Sequence, residues 1–289
     1  MEKKKPQIFL TVCLILLCII IAIPFLLVVG ISLSNENDVV DYGYRFIPMN
    51  LDFSAYEYVF KNPLTVINAY KLTIFYSITA MVLGVLLMSM LAFALSKRDL
   101  KGRNIASFYV YFTMLFSGGM VPGYILISQY LHLSDNILVY IVVGLMSPWY
   151  VFMMRTFFQG LPYELTEAAV IDGASEYRIF FGIILPLSKP VLATVALNMF
   201  LMKWNDWQTS LLYITDETKF SLQYLLQRIM TNLQIMQQDP SLAGYMQDDI
   251  PTETVRMAMA VVVAGPALFV FPFFQKYFVK GLTVGSVKG

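Results

Sequence analysis

The residues best suited to a specific interaction form the heptapeptide EAAVIDG, from Glu167 to Gly173, which is followed by IILP from Ile183 to Pro186. The heptapeptide offers two carboxylates, two small helix-forming alanines that another surface can approach closely, and a glycine that can end a helix. It lies between two strongly apolar segments, where a membrane protein would meet a soluble partner. These residue types favour docking to another protein surface, not covalent chemistry.

A second polar group interrupts an apolar run near residue 203. Lys203 and Asp206 stand three apart, so on a helix they share a face and can pair. Polar groups within a membrane span are costly and usually face a cavity or each other. Amides and indole rings nearby could contact a sugar, and the full candidate set is Asn198, Lys203, Trp204, Asn205, Asp206 and Trp207. The alternative is that the indoles form an interfacial aromatic belt and that the charged pair is structural.

The elements that must position these residues are membrane-spanning helices. Apolar residues make up 58% of the 289-residue chain and charged residues only 13%, whereas soluble domains contain roughly 45–50% and about 25%. A helix needs about 20 residues to cross a bilayer. Because the apolar runs are continuous rather than alternating, we expect helices and not strands. Six runs qualify: Ile8–Leu33, Leu72–Leu95, Asn104–Leu131, Asn136–Met154, Pro190–Tyr213 and Met257–Gln275.

Basic residues orient these spans. They are concentrated in the N-terminal tail, between the second and third runs, around the Glu-Ala-Ala block and at the C-terminus. By the positive-inside rule these segments, and therefore both termini, are expected in the cytoplasm. The first run is longer than the roughly 7–15 residues of a signal-peptide core, so we interpret it as an uncleaved anchor. Cys13 and Cys18 lie within it and predict no disulfide framework.

Two segments on the opposite side are long enough to fold. Asn35–Tyr70 carries acidic residues among many aromatics and is expected to pack on the outer membrane face. Within Asp216–Glu253, the stretch Leu222–Met236 has apolar residues at helical spacing with glutamines between them, which predicts a short external helix. A packed cap over the spans and a docking surface for an external partner are both open interpretations.

The Glu-Ala-Ala region predicts a helix–turn–helix elbow. Pro162 suits the first turn of a helix, whose positive end the nearby acidic residues favour. Gly173 can adopt the left-handed conformation that ends this helix, and Ser175 can cap a second one. Pro186 and Pro190 then break the second helix where the chain enters the membrane again.

A cluster of helix breakers also lies inside the third run, at Gly118, Gly119 and Pro122. Such a cluster can interrupt a helix where it lines a cavity. It predicts either the hinge of a gate or a kink that improves packing.

The elbow fits the pattern EAA-x3-G-x9-I-x-L-P at every fixed position. This pattern resembles the coupling loop of permease subunits in bacterial ABC importers, in which the first elbow helix sits in a cleft of a separate ATPase. An ordinary amphipathic loop would explain the polarity but not the spacing. The resemblance implies ATPase coupling by Glu167, Ala168, Ala169, Asp172, Gly173, Leu185 and Pro186.

The C-terminal sequence, QKYFVKGLT from Gln275 to Thr283 with GSVKG at the end, resembles the tail of the maltose-type carbohydrate permeases. In that family the tail reaches toward the ATPase dimer interface. FSGGMVP, from Phe116 to Pro122, and WNDW, from Trp204 to Trp207, are closer to the aldouronate or complex-polysaccharide permeases. The resemblance implies that the tail contacts the ATPase through Gly281, Leu282, Lys288 and Gly289.

The resemblance also implies a division of labour. The family's assembly contains a heterodimer of two homologous permeases, two ATPase subunits that bind ATP and Mg²⁺, and an external solute-binding protein. This chain would be one permease, with an oligosaccharide cargo, uronate-containing or otherwise complex, and with no cofactor of its own. The sequence contains no Gly-x4-Gly-Lys-Ser/Thr phosphate loop, no His-Glu-x-x-His or Cys-x-x-Cys metal pattern, and no basic stripe typical of nucleic-acid binding.

Other classes stay open. A secondary transporter driven by an ion gradient would be expected to show inverted repeats and carboxylates near mid-membrane. An integral-membrane enzyme would be expected to show clustered His or acidic residues at one membrane face. An ABC permease for a non-sugar solute could share the Glu-Ala-Ala spacing, although the C-terminal tail argues for the carbohydrate branch.

The sequence thus predicts an all-α polytopic membrane protein with six transmembrane helices and a cytoplasmic coupling elbow, the fold of type I ABC importer transmembrane domains. We divide it into an N-terminal anchor helix with an external segment (1–67), a type-1 transmembrane core (68–280) and a cytoplasmic tail (281–289). The expected location is the bacterial plasma membrane. The expected role is ATP-driven oligosaccharide uptake, with hydrolysis performed by partner subunits.

Overall fold

A computed structural model of the protein describes residues 4–238 and 252–284, with side chains described for 8–232, 234–235 and 252–275. Within these ranges every regular element is a helix, apart from one isolated antiparallel bridge between Ser34 and Leu51. The all-α fold predicted from the continuous apolar runs is therefore confirmed.

The described residues form fifteen α-helices. In order they are α1 (Lys4–Ser32), α2 (Glu36–Tyr42), α3 (Ser54–Val59), α4 (Pro63–Ser96), α5 (Arg103–Leu115), α6 (Met120–Ile125), α7 (Leu138–Val142), α8 (Pro148–Gln159), α9 (Tyr163–Ile171), α10 (Glu176–Ile179), α11 (Leu185–Leu187), α12 (Lys189–Trp204), α13 (Gln208–Tyr213), α14 (Leu222–Gln238) and α15 (Thr252–Val284). Short π-helical segments occupy Leu126–Tyr130 and Phe180–Ile184, and a 3-10 turn occupies Glu217–Lys219.

Helix length and composition identify the membrane spans. Within the described residues, three helices are long and apolar enough to cross a membrane alone: Ile8–Ser32 in α1, the whole of α4, and Thr252–Gln275 in α15. Two bent pairs also qualify as single interrupted spans. They are Arg103–Leu115 with Met120–Tyr130, bent by 112°, and Glu176–Leu187 with Lys189–Trp204, bent by 82°. The predicted run Asn136–Met154 is instead divided between the short helices α7 and α8.

Two of the interruptions occur at glycine and proline. α5 ends before the predicted breaker cluster, and Gly119 has a φ angle of 88°. After α7, Gly144 has a φ angle of 68°, and Pro148 begins α8. Positive φ angles suit glycine because it has no Cβ. Apolar composition alone predicts six spans, of which three are continuous in the described part of the chain. The local backbone requirements explain the breaks in the third and fourth runs, whereas the run Pro190–Tyr213 is interrupted between Trp204 and Gln208 without glycine or proline.

One compact unit consists of Met1–Ile67 and Leu225–Pro266. Side chains 8–26 of α1 are all exposed, which suits an apolar anchor surrounded by lipid. Its core joins α3 to the first turns of α15, and the buried members are Ala55, Val59, Val255, Ala258 and Met259. The segment predicted to fold after the first span therefore does so, as α2 and α3.

A carboxylate in this unit caps the start of α15. Glu36 accepts hydrogen bonds from the backbone amides of Glu253 and Thr254, each at 2.9 Å. It also accepts from the hydroxyls of Thr252, at 3.2 Å, and Thr254, at 2.7 Å. A negative charge at this position satisfies amides that have no partner within the helix and complements the helix dipole.

The other unit consists of Asn68–Tyr224 and Ala267–Gly289. Its core joins α4, α8, α10 and α12, and includes the buried residues Met88, Met154, Ile179, Val195 and Met199. The helix predicted over Leu222–Met236 is confirmed as α14, which begins at Leu222 and continues to Gln238.

Candidate functional site

The Glu-Ala-Ala region forms the predicted elbow. α9 covers Tyr163–Ile171, Gly173 follows with a φ angle of 75°, and α10 begins at Glu176. The hydroxyl of Ser175 accepts a hydrogen bond from the amide of Arg178 at 3.4 Å. The left-handed glycine and the serine cap both occupy the positions that the sequence predicted, so local rules account for the turn.

The first helix of the elbow is exposed along its length. None of the α9 side chains is buried; Glu167 and Ala168 are exposed and Ala169 is half-buried. Asp172 and Gly173, which follow it, are exposed as well. Its exposed apolar side chains are Tyr163, Leu165, Val170 and Ile171. An apolar helix face bordered by carboxylates is suited to lie in a groove of a partner protein.

The second part of the elbow is anchored to the core. Ile179, Phe180 and Ile184 are buried, and Leu185 packs against the same cluster, whereas Pro186 is exposed. One side of the elbow is therefore fixed to its unit while the other, α9, is open to a partner.

A charged and an aromatic contact join the elbow to α4. The side chain of Lys97, immediately after α4, forms an ion pair with Glu176. The ammonium group of Lys97 also lies 5.0 Å from the ring centroid of Phe93. The ring of Phe93 is in turn 5.3 Å from that of Phe180.

The polar candidates at the end of α12 have separate roles in the structure. Lys203 is 2% exposed, and its ammonium group donates to the carbonyl oxygen of Tyr140 at 2.6 Å and to that of Val143. These carbonyls lie at the C-terminal end of α7, where a positive charge is favourable. Asp206 accepts from the amide of Thr209 at 3.0 Å and from its hydroxyl at 2.6 Å. Lys203 and Asp206, whose spacing allows them to pair, are hydrogen-bonded instead to different helix ends.

The remaining candidates differ in accessibility. Trp204 is 2% exposed and its ring stacks on Phe200 at 5.7 Å, so it is inaccessible to a solute in this conformation. Trp207 is half-buried, and Asn198 and Asn205 are exposed. The two amides each donate one hydrogen bond, at 2.8 Å, to a carbonyl one turn earlier, and their oxygens can accept others.

A buried polar network that the sequence did not predict surrounds Lys203. Tyr76 of α4 and Tyr140 of α7 stack at 4.5 Å. The hydroxyl of Tyr76 donates to the carbonyl oxygen of Lys203 at 3.1 Å, and the hydroxyls of Tyr140 and Ser210 are 2.6 Å apart. The hydroxyl of Ser210 also donates to that of Ser221 at 2.9 Å. Two tyrosines in separate apolar runs carry no local signal of such pairing.

Aspartates fix the loops outside the spans of this unit. The carboxylate of Asp135 accepts hydrogen bonds from the hydroxyl of Thr215, from its amide at 2.6 Å and from the amide of Asp216 at 2.9 Å. These bonds hold the pKa of Asp135 below its usual value. Hydrogen bonds from Thr218 and then Lys219 lower the pKa of Asp216 to about 2.

The predicted tail contacts fall largely beyond the described side chains. Gly281 and Leu282 belong to the backbone of α15, and the side chain of Leu282 is outside the described residues. Lys288 and Gly289 are wholly outside them.

Comparisons with known proteins agree over nearly the whole chain. The polygalacturonan/rhamnogalacturonan transport system permease protein YtcP of Bacillus subtilis (strain 168) is 36% identical over 276 residues, which is 96% of each chain. Protein LplC of the same organism is 38% identical over 270 residues, covering 92% of this chain and 89% of that protein.

A solved structure gives the same result for the fold. It is the crystal structure of a bacterial ABC transporter involved in the import of the acidic polysaccharide alginate. One of its chains matches with a TM-score of 0.80 and 30% identity, covering 96% of this chain and 99% of that one. The family model for the inner membrane component of binding-protein-dependent transport systems matches residues 69–284. With its exposed elbow and interrupted apolar helices, the chain belongs to this family of binding-protein-dependent transport system inner membrane components.

Proposed function

We propose that this chain is one transmembrane subunit of an ATP-driven importer for oligosaccharides derived from acidic polysaccharides. Family membership makes it a transport permease of the inner membrane, with an ATPase and a solute-binding protein as partners. The cargo class is supported by two similar transport proteins, one named for polygalacturonan and rhamnogalacturonan and the other involved in alginate import. These polymers contain sugar acids, so we infer a uronate-containing cargo.

The observation that carries the proposal is the exposed elbow. Glu167, Ala168 and the apolar side chains of α9 are open to a partner, while the second elbow helix is fixed in the core. A soluble ATPase that binds α9 can therefore displace the unit to which the elbow is fixed without unfolding that unit. We assign the coupling role to Glu167, Ala168, Ala169, Asp172, Gly173, Leu185 and Pro186.

The cargo path is assigned by accessibility. Trp207 offers a flat ring for stacking on a sugar, and Asn198 and Asn205 offer amide oxygens and hydrogens. Lys203 and Trp204 are buried and act on the path indirectly, by fixing the helices that border it. The carboxylate of Asp206 is engaged with Thr209.

The complete importer contains further subunits. A second homologous permease pairs with this chain, and two ATPase subunits bind ATP and Mg²⁺, contacting α9 and the tail residues Gly281, Leu282, Lys288 and Gly289. Both termini lie in the cytoplasm. In this assignment the anchor with its external segment (1–67) attaches the chain to the membrane. The core (68–280) performs transport, and the tail (281–289) contacts the ATPase.

The first test is affinity purification of the full chain from its native membrane in mild detergent, with every co-purifying protein identified. Recovery of an ATPase and a second permease, together with binding of oligogalacturonates by the accompanying solute-binding protein, is the expected result. Recovery of the chain alone, under conditions that preserve a known ABC importer, would favour an ion-driven secondary transporter.

The second test reverses a charge on the elbow. Glu167→Lys should abolish uptake of oligogalacturonates while the protein stays folded in the membrane, because it places a cation on the surface that meets the ATPase. Glu57→Lys, the same change at an exposed position in α3, is the matched control and should import normally. Unchanged uptake by the Glu167 variant would contradict the coupling role.

A further inference from the structure

We propose that Lys97 and Glu176 form a tether through which movement of the elbow passes to α4, and that α4 carries it to the polar network around Lys203. The proposal rests on the coupling role proposed above for the elbow. Lys97 directly follows the last residue of α4, and Glu176 is the first residue of α10. Their ion pair joins positions that are 79 residues apart in the sequence.

The tether consists of an aromatic contact next to the core and an ion pair outside it. Beneath the ion pair, the rings of Phe93 and Phe180 are in contact, with centroids 5.3 Å apart. The guanidinium of Arg103 donates to the carbonyl oxygen of Lys97 at 3.3 Å, which fixes the backbone at the end of α4. The aromatic contact and the buried side chains of Ile179 and Ile184 hold the second part of the elbow against the core, and the ion pair adds a charged contact between α10 and the end of α4.

Stability alone does not account for the ion pair. The side chain of Glu176 is 59% exposed and that of Lys97 is 19% exposed, and ion pairs at exposed positions are worth only about 0–1 kcal/mol. Its geometric effect is larger, because it links the first residue of the second elbow helix to the end of a long helix. We therefore assign Lys97 and Glu176 as positioning residues for coupling.

α4 is suited to carry the movement because it is one uninterrupted helix. Between Tyr76 and Ser96 it extends about 30 Å, at 1.5 Å per residue. A Cβ on Gly84, midway along, would lie 2.7 Å from the carbonyl oxygen of Leu145, so α4 touches the broken segment between α7 and α8. At the far end of this stretch, Tyr76 donates to the carbonyl oxygen of Lys203 at 3.1 Å.

The contacts along α4 therefore form a chain with no gap. A displacement of α10 reaches Lys97 through Glu176, moves α4 along its axis, and reaches the backbone of Lys203 through Tyr76. That backbone lies just before Asn205 and Trp207, two of the residues assigned to the cargo path. The tether is thus required for the ATPase to change the path, but not for the ATPase to bind.

The test is a charge swap in the full complex. Lys97→Glu, Glu176→Lys and the double variant are compared with wild type for co-purified ATPase, for ATPase stimulation by the loaded solute-binding protein, and for uptake of oligogalacturonates. Each single variant should keep its ATPase subunits but lose stimulation and uptake by roughly five-fold or more, the size of an ordinary coupling free energy. The double variant should recover both. Lys101→Glu, at an exposed position in the same connection, is the control and should behave as wild type.

Two results would overturn the tether: single variants with wild-type stimulation and uptake, or a double variant no better than either single one. Lys97→Met and Glu176→Gln remove a charge without introducing repulsion, so they control for a folding defect in the charge-reversed variants. They should lose stimulation and uptake as well, but to a smaller extent. If the wild-type chain carries no ATPase, both the tether and the proposed function fail. If the wild-type complex imports normally and the swap restores nothing, only the tether fails.

Discussion

The ammonium nitrogen of Lys203 lies 2.6 Å from the carbonyl oxygen of Tyr140, in a position that is only 2% exposed. The same group also donates to the carbonyl oxygen of Val143. Lys203, a charged residue within the apolar run of α12, thus binds the C-terminal end of α7, where the apolar run of α7 is broken. The carbonyls there have no partner within the helix, and the lysine supplies one.

Replacing Lys203 with methionine should destabilise the protein strongly. The substitution keeps the length of the side chain but leaves the carbonyls of Tyr140 and Val143 without their donor, at a cost of about 1–3 kcal/mol each. The unfolding temperature in detergent measures the loss. Lys71→Met, at an exposed position on α4, is the control. A variant with normal unfolding but weakened oligosaccharide affinity would place Lys203 in the cargo path instead.

Adding a single methyl group at Gly84 should be harmful. Its Cβ would lie 2.7 Å from the carbonyl oxygen of Leu145 and 2.8 Å from Cε of Met199. Because one of these neighbours is backbone, Gly84→Ala forces α4 away from the broken segment and should cost about 1–3 kcal/mol. At Gly123 a Cβ would meet nothing within 4 Å, so Gly123→Ala serves as the comparison. Equal unfolding temperatures for the two variants would show that the close approach is absent.

Loss of the Glu36 carboxylate should loosen the start of α15. Glu36→Ala removes the acceptor for the amides of Glu253 and Thr254 and should cost about 1–3 kcal/mol. Glu36→Gln keeps one oxygen and should lose less. Asp41→Ala, at an exposed site on the same short helix, should change little. Hydrogen exchange of the first turn of α15 reports the effect directly, and unchanged protection in Glu36→Ala would refute the cap.

Acid should weaken the loop contacts made by Asp135. Its folded pKa is below the usual value, so its stabilising contribution is complete above the unfolded pKa of about 4 and is lost as the pH falls through the folded pKa. Asp216, whose pKa is lowered to about 2, acts in the same direction. We expect Asp135→Asn to lose less stability than wild type when the pH is lowered below about 4, as followed by unfolding temperature. Parallel pH profiles would contradict this.

Local rules in the sequence predicted the elbow well. Gly173 and Ser175 act through their own backbone and near neighbours, so their roles could be inferred from residue type and spacing. Pro162 differs slightly, since it stands at the N-cap, directly before α9, rather than in the first turn. The unbroken helices α1, α4 and α15 follow just as directly from long apolar runs.

The polar candidates were harder to predict because their partners are distant in sequence. Spacing alone places Lys203 and Asp206 on one helical face. In the structure α12 ends at Trp204, so Asp206 lies beyond the helix and does not share that face. Lys203 then bonds to carbonyls about 60 positions earlier. The stacking of Tyr76 on Tyr140 likewise depends on how α4 meets α7, which no local pattern encodes.

The cap on α15 joins Glu36 to a helix that begins 216 positions later. At about 5–20 residues per second, the ribosome makes the second partner roughly 10–40 s after the first. Until then the carboxylate and the apolar faces of α3 are uncovered, and a chain that stops short of α15 never covers them. Until α15 has been made, this unit therefore lacks both its cap and part of its apolar core.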